Sequence, residues 1–173
     1  KPADGIILHM GRVLYGAPQV GMKVMAGIDR YRRGQMRRNH TATHLLNGAL
    51  RDVVDASIKQ AGSLVSGERL RFDFNYFEAI PVEQLQRIEQ VVNHEIMRNT
   101  AVETREMALA EVQQDRRIQA VFDDKYGERV RVVGIGDFSQ ELCGGTHVQL
   151  TGDIGSFRIV SESSVAAGVR RIE

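Results

Sequence analysis

Two short motifs hold most of the groups able to do chemistry in this chain: His40 and His44 in Asn39-His-Thr-Ala-Thr-His44, and Cys143 and His147 in Cys143-Gly-Gly-Thr-His147. On a helix, residues four apart stand one turn apart in height and about 40° apart in azimuth, so His40 and His44 can grip one ion from the same face. Neutral imidazole and thiolate are the ligands zinc prefers, and tetrahedral sites of nitrogen and sulfur are its commonest arrangement. Gly144 and Gly145 separate Cys143 from His147, and their backbone freedom lets a short loop turn both side chains inward. Either pair alone is weak, since histidines at this spacing often only dress a helix face. The weight comes from HxxxH and CxxxH occurring together.

The two halves lie at residues 40–44 and 143–147. That excludes a zinc finger, whose halves sit within about 12–15 residues, so a shared Zn2+ site must be assembled by tertiary folding. Thr41 follows His40 where an HExxH protease carries its general-base glutamate, which argues against that mechanism. Four bound side chains would close the tetrahedron; three, with His147 the natural one to let go, would leave a position for water or substrate.

Directly upstream of His40 stand Arg30, Arg32, Arg33, Arg37 and Arg38. Phosphate neutralisation needs such local clustering rather than a high total charge. The plain alternative is a solvated loop, but adjacency to the candidate metal favours a polyanionic substrate. Arg170 and Arg171 are a weaker extension of the same patch. His9 and His94 read as ordinary surface or packing residues, and Asp123, Asp124 and Lys125 as a solvated charged turn.

The elements that must position these groups follow from periodicity. Residues 1–34 read as short strands broken by glycines, Ile6 to Leu8, Val13 to Tyr15 and Lys23 to Ile28, a β-rich remnant of a small barrel-like subdomain. From Asn39, Leu46, Leu50, Val53 and Val54 recur at helical spacing, predicting a long amphipathic helix to about Lys59. Ala61 to Gly67 reads as a turn beside the site, with Ser63 a lesser substrate contact. Leu70, Phe72 and Phe74 alternate with polar residues as in a half-buried strand. Pro81 opens a second helix whose stripe is Leu85, Ile88, Val92 and Ile96. A strand near Ala101 to Glu106, a short helix near Leu109 to Gln114 and a strand Arg129 to Ile135 follow, then extended Phe157 to Ser161 and Val169 to Ile172. Without a regular βαβα rhythm the expected class is α+β, a mixed or antiparallel sheet packed with long helices, with residues 35–173 as the metal-bearing domain.

Composition supports a globular domain. The chain has 173 residues, 42% hydrophobic and 26% charged, with 23 Lys plus Arg against 22 Asp plus Glu. That excludes a disordered tail or fibrous repeat. A single cysteine rules out an internal disulfide and favours a reduced, cytoplasmic setting. No apolar run approaches the roughly 18 residues needed to span a bilayer, and the first residues lack a signal core. The start at Lys1 rather than Met reads as a piece of a longer protein.

Five blocks, in order, carry a family resemblance: Arg38-Asn-His-Thr-Ala-Thr-His-Leu-Leu46, Gln60-Ala-Gly-Ser-Leu-Val65, Leu70-Arg-Phe-Asp-Phe74, Glu141-Leu-Cys-Gly-Gly-Thr-His-Val148 and Ala166-Ala-Gly-Val-Arg-Arg-Ile-Glu173. Together they resemble the editing domain of alanyl-tRNA synthetase. Freestanding alanyl editing proteins and the threonyl-tRNA synthetase editing domain share the HxxxH and CxxxH pairs. The resemblance implies a zinc-dependent hydrolase that deacylates tRNA(Ala) mischarged with serine or glycine. Its metal positions fall on His40, His44, Cys143 and His147, and its active-site glutamine on Gln60. It also implies a parent ATP-dependent ligase, with an aminoacylation domain upstream and a dimerising domain downstream.

A pocket built for alanine cannot strongly exclude glycine, and its rejection of an added hydroxyl is limited to about a hundredfold in a comparable case, so a second sieve must remove both errors. Sparing alanine is within reach of a polar group set to bond a serine hydroxyl, because a methyl would leave it unpaired at about 1–3 kcal/mol if buried. Thr41 and Thr43 are both candidates for that partner, and each also has the option of bonding back to the helix backbone. Gln60 can place substrate or water but cannot act as a base. Backbone N–H groups of Gly144 to His147 are candidate oxyanion donors. Three rivals stand beside this reading: a closed structural zinc module that binds tRNA without hydrolysis, a threonyl-type editing domain, and a metal-dependent hydrolase of small esters.

Overall fold

A computed structural model describes residues 8–119 and 127–173. In chain order the elements are helix α1 (Arg30–Val53), strands β1 (Gln60–Val65) and β2 (Leu70–Asn75), α2 (Val82–Met97), β3 (Val102–Ala108), α3 (Leu109–Gln114), β4 (Arg129–Ile135), β5 (Ser139–Leu142), a 3-10 turn at Thr151–Ile154, β6 (Glu162–Ala166) and β7 (Val169–Ile172). The strands form two antiparallel sheets, one in the order β1-β2-β7-β6 and the other β3-β4-β5. The class is therefore α+β, as the mixed periodicity implied.

Helix α1 starts at Arg30, nine residues before the expected Asn39, because Asp29 caps it by accepting the Arg32 N–H at 3.0 Å. Arg30, Arg32, Arg33, Arg37 and Arg38 are therefore helical, which removes the solvated loop that was the plain alternative for them. It ends at Val53 rather than near Lys59, and the chain then turns so that Ile58 is buried. Upstream, Val13 to Tyr15 and Lys23 to Ile28 form no strand: among the described residues 8–29 the chain is exposed and without strand pairing. Short strands without partners have nothing to hold their backbone groups. Most of Ile6 to Leu8, and Asp123, Asp124 and Lys125, lie outside the described residues.

The principal core packs α1 and α2 against the larger sheet. Leu45, Leu46, Ala49 and Leu50 meet Ile88, Val92 and Ile96, with Phe72, Phe74 and Ile172 beneath them. Burying such side chains contributes roughly 1.5–3 kcal/mol each, which is why the 3.6-residue stripes dominate the fold. Ala61 to Gly67 is not a turn: residues 60–65 pair with β2, and the turn spans Ser66 to Arg69. Asp73 is buried rather than solvent-facing, since β7 sets Arg171 opposite it and the guanidinium donates to both carboxylate oxygens, at 2.7 and 2.8 Å. Arg170 is likewise held by Glu162.

The smaller sheet has its own cluster of Val112, Ile118, Val130 and Val132. It docks on α1 at Gly48, where a Cβ would come within 2.8 Å of the Phe138 ring in the β4–β5 turn. Only a glycine permits that approach, and it sets β5 beside the second half of α1. No described helix is long and apolar enough to cross a membrane.

Candidate metal centre

His40 and His44 lie on one face of α1 with ring centroids 5.3 Å apart. The segment leaving β5 brings Cys143 and His147 to the same face. The Cys143 Sγ is 3.4 Å from Nε2 of both His40 and His147, and the His147 ring lies 4.4 and 5.0 Å from the rings of His40 and His44. One ligand atom from each of the four residues falls within 4.8 Å of every other.

Surrounding groups aim these atoms. His44 Nδ1 lies 2.8 Å from Glu141 Oε2, while Glu141 Oε1 accepts from Asn47 Nδ2 at 3.0 Å and Ser139 Oγ at 3.1 Å. With Nδ1–H spent on Glu141, Nε2 is the atom left to bind. That Nε2 is buried and has no hydrogen-bond partner. Thr41 donates its hydroxyl proton to the Arg37 carbonyl at 2.9 Å, so toward His147 Nδ1, 3.4 Å away, its oxygen accepts. This sets the proton on His147 Nδ1 and turns Nε2 to Cys143. Val148 N–H also donates to Thr41 Oγ1, at 3.2 Å.

The loop itself is pinned by Arg131 of β4, which donates to the carbonyls of Cys143 (3.0 Å) and Gly145 and to Thr104 Oγ1 (3.3 Å). Gly145 packs so tightly under His40 that a Cβ would overlap the imidazole.

Electrostatics match the geometry. Burial opposes the Cys143 thiolate, yet the His147, His40 and His44 imidazoles around it and the Gly145 N–H bring its pKa down to about 3. Burial also opposes an imidazolium at His44, but the Glu141 carboxylate, together with Cys143, pushes its pKa up to about 10. Burial, with positive charge at His44 and His40, holds His147 below the usual histidine value despite Cys143. A half-buried cluster that holds a thiolate beside a protonated imidazole is suited to a dication that displaces the proton. The orphaned His44 Nε2, the carboxylate behind that histidine and the donor set of three imidazole nitrogens and one sulfur all fit a metal, and soft sulfur with imidazole fits zinc.

The other expected site residues separate. Thr41 touches the cluster through His147, whereas the buried Thr43 donates to the Asn39 carbonyl at 2.8 Å. Gln60 stands exposed at the start of β1, its Nε2 3.4 Å from Ser63 Oγ, and among the described residues it makes no hydrogen bond to the four ligands. Arg30, Arg32, Arg33, Arg37 and Arg38 occupy the first turns of α1. Arg170 and Arg171 are committed to Glu162 and Asp73, so they do not extend that basic patch. His9 and His94 are exposed, as expected.

Sequence reading assigned no role to Glu141, Asn47, Ser139 or Arg131. For Glu141 a signal existed: in an extended strand it shares a side with Cys143 two residues on.

Two comparisons bear on these residues. Residues 130–173, which include Cys143 and His147, match the family described as Threonyl and Alanyl tRNA synthetase second additional domain. The chain is 55% identical over 166 residues to the alanine–tRNA ligase of Hydrogenovibrio crunogenus, covering 96% of this chain and 19% of that protein. It is 51% identical over 173 residues to the alanine–tRNA ligase of Acidithiobacillus ferridurans, covering 100% and 20%. The chain thus spans about a fifth of the length of these relatives. It is homologous to that fifth of alanine–tRNA ligase over essentially its whole length, an editing-domain-like segment whose residues 130–173 match the threonyl and alanyl tRNA synthetase second additional domain.

Proposed function

We propose that this chain deacylates tRNA(Ala) carrying serine or glycine, at a zinc ion held by His40, His44, Cys143 and His147. The observation that carries this reading is the convergence of those four ligand atoms from distant parts of the chain to within 4.8 Å of one another, with His44 Nε2 buried and unpartnered. When bound, zinc supplies positive charge to orient the substrate's amino or hydroxyl group and polarise the ester carbonyl.

The chain's own groups do the rest. Water adds to the carbonyl carbon, the bond to the ribose oxygen breaks as that oxygen takes up a proton the water gives up, and free amino acid and uncharged tRNA leave. The Gly145 N–H is occupied by Cys143 Sγ at 3.4 Å, so Gly144, Thr146 and His147 supply the N–H groups still open to a developing oxyanion among the described residues. Thr43 keeps oxygen lone pairs after donating to Asn39 and can accept from a serine hydroxyl. Thr41 is saturated by Arg37, His147 and Val148 and serves to orient His147. Gln60, exposed at the rim of β1, positions substrate or water. Some of the arginines in the first half of α1 offer the cations that the tRNA backbone requires.

A deacylation assay with Ser-, Gly- and Ala-tRNA(Ala) tests this. Hydrolysis of the first two with Ala-tRNA spared is expected, and Cys143→Ala should abolish it. A second reading, a closed structural zinc module that binds tRNA, is favoured by the presence of four rather than three converging ligands. It predicts no hydrolysis of any of the three.

A further inference from the structure

All five arginines upstream of His40 lie in the N-terminal part of α1, whose first turn contains no acidic residue. Cations there oppose the positive end of the helix dipole. Among the described residues none of the five is in an ion pair. Arg30, Arg32 and Arg33 fall in that first turn with only the Asp29 cap as a nearby acid, a local conflict of the kind that marks function rather than folding.

Helical geometry divides the five. At 3.6 residues per turn, and measuring from the bisector of His40 and His44, Arg33 falls on the metal-facing line, with Arg37 about 40° and Arg30 about 60° to one side. Arg32 lies about 100° from that line and Arg38 about 140°. The position of Arg38 agrees: it lines a separate cleft of about 240 Å³ with Asn39, Arg69 and Arg158 on the other flank of the helix. Arg33 and Arg37 are one turn apart, about 6 Å along the axis, and Arg37 stands about 4.5 Å before His40.

We infer that Arg33 and Arg37, with Arg30 at the outer end, form a phosphate track that receives the single-stranded 3′ end of an RNA whose terminal ester reaches the metal centre, and that Arg32 and Arg38 lie outside it. This rests on the deacylase reading above. A single row of guanidinium groups follows one strand, and one helical turn between cations is comparable with the spacing of successive phosphates on an extended strand.

The test compares two variants that each remove two charges: Arg33→Gln with Arg37→Gln, and Arg32→Gln with Arg38→Gln. Binding is measured to an uncharged RNA hairpin bearing a single-stranded 3′ extension and to the same hairpin blunt-ended, across a salt series, with zinc content and helicity checked for each protein. The first variant should lose about tenfold or more in affinity for the extended hairpin. Its slope of log affinity against log salt should fall in magnitude by about 1.4, the value for two single-strand phosphate contacts. The second variant should stay within about twofold. Equal losses in the two variants, or the same loss on the blunt hairpin, would overturn the track and leave only diffuse attraction. Hydrolysis of a serine ester of adenosine by the unsubstituted protein keeps the two ideas apart. Activity on that ester with equal binding losses sinks the track alone, while inactivity on it and on Ser-tRNA(Ala) removes the deacylase reading and the track with it.

Discussion

Glu141 Oε2 stands 2.8 Å from His44 Nδ1, and the same carboxylate is held by Asn47 and Ser139, so the buried histidine is locked with Nε2 turned to Cys143 and its neighbours. A carboxylate behind a metal-binding histidine fixes the tautomer and raises its basicity. Glu141 reaches this place because Gly48 lets the β4–β5 turn rest on α1.

Replacing Glu141 by Gln should lower zinc affinity about 10–100-fold, the usual cost of losing such a partner. Competition with a chromophoric chelator measures it. Affinity unchanged within twofold would show that His44 needs no carboxylate behind it.

Gly145→Ala should weaken metal binding while leaving the sheets intact, because the added methyl overlaps the His40 imidazole and overpacking costs typically about 1–3 kcal/mol. Zinc titration read beside far-UV circular dichroism separates the two effects. Gly144→Ala, where a Cβ meets nothing within 4 Å, is the matched control and should bind zinc normally.

Removing the metal should lower the thermal midpoint without erasing secondary structure, since both hydrophobic clusters are built from side chains other than the four ligands. At a free zinc concentration 100 times Kd the stabilisation is about 2.7 kcal/mol. Calorimetry with and without a chelator reads it, and an unchanged midpoint would mean that the four side chains bind no ion.

Acid stability should depend on Asp73. Hydrogen bonds from Arg171, against opposing burial and with added attraction from the Arg171 and Arg71 charges, hold its carboxyl below the ordinary aspartate value. A depressed folded-state pKa contributes stability that is complete above the unfolded value near 3.9 and disappears as pH falls through the folded one. The gap in urea midpoint between the unsubstituted protein and Asp73→Asn should therefore be open at pH 7 and narrow below pH 4. A gap independent of pH would contradict the ionic role.

Local features could be read from the sequence. HxxxH on one helix face, the zinc-suited chemistry of histidine and cysteine, the α2 stripe and the β2 alternation all follow from periodicity and residue type, which act within a few residues. Helix α3 and strand β4 fell where periodicity put them. The start of α1 is not legible in the periodicity, because its cap, Asp29, precedes a polar turn with no apolar stripe to announce it. Strand β1 leaves no clear pattern, because its small and polar residues alternate weakly and pairing with β2 decides its state.

What the sequence by itself determined was which side chains had the chemistry to hold a metal and that half of them shared a helix face. Only the tertiary structure decided that Cys143 and His147 meet that face, that Glu141 and Arg131 hold the arrangement, and that Thr41 and Thr43 have different bonds. The physical reason is range. Helical and strand periods are written in neighbouring residues, whereas joining residue 40 to residue 143 depends on how two sheets pack around one helix, down to a glycine small enough to let Phe138 approach.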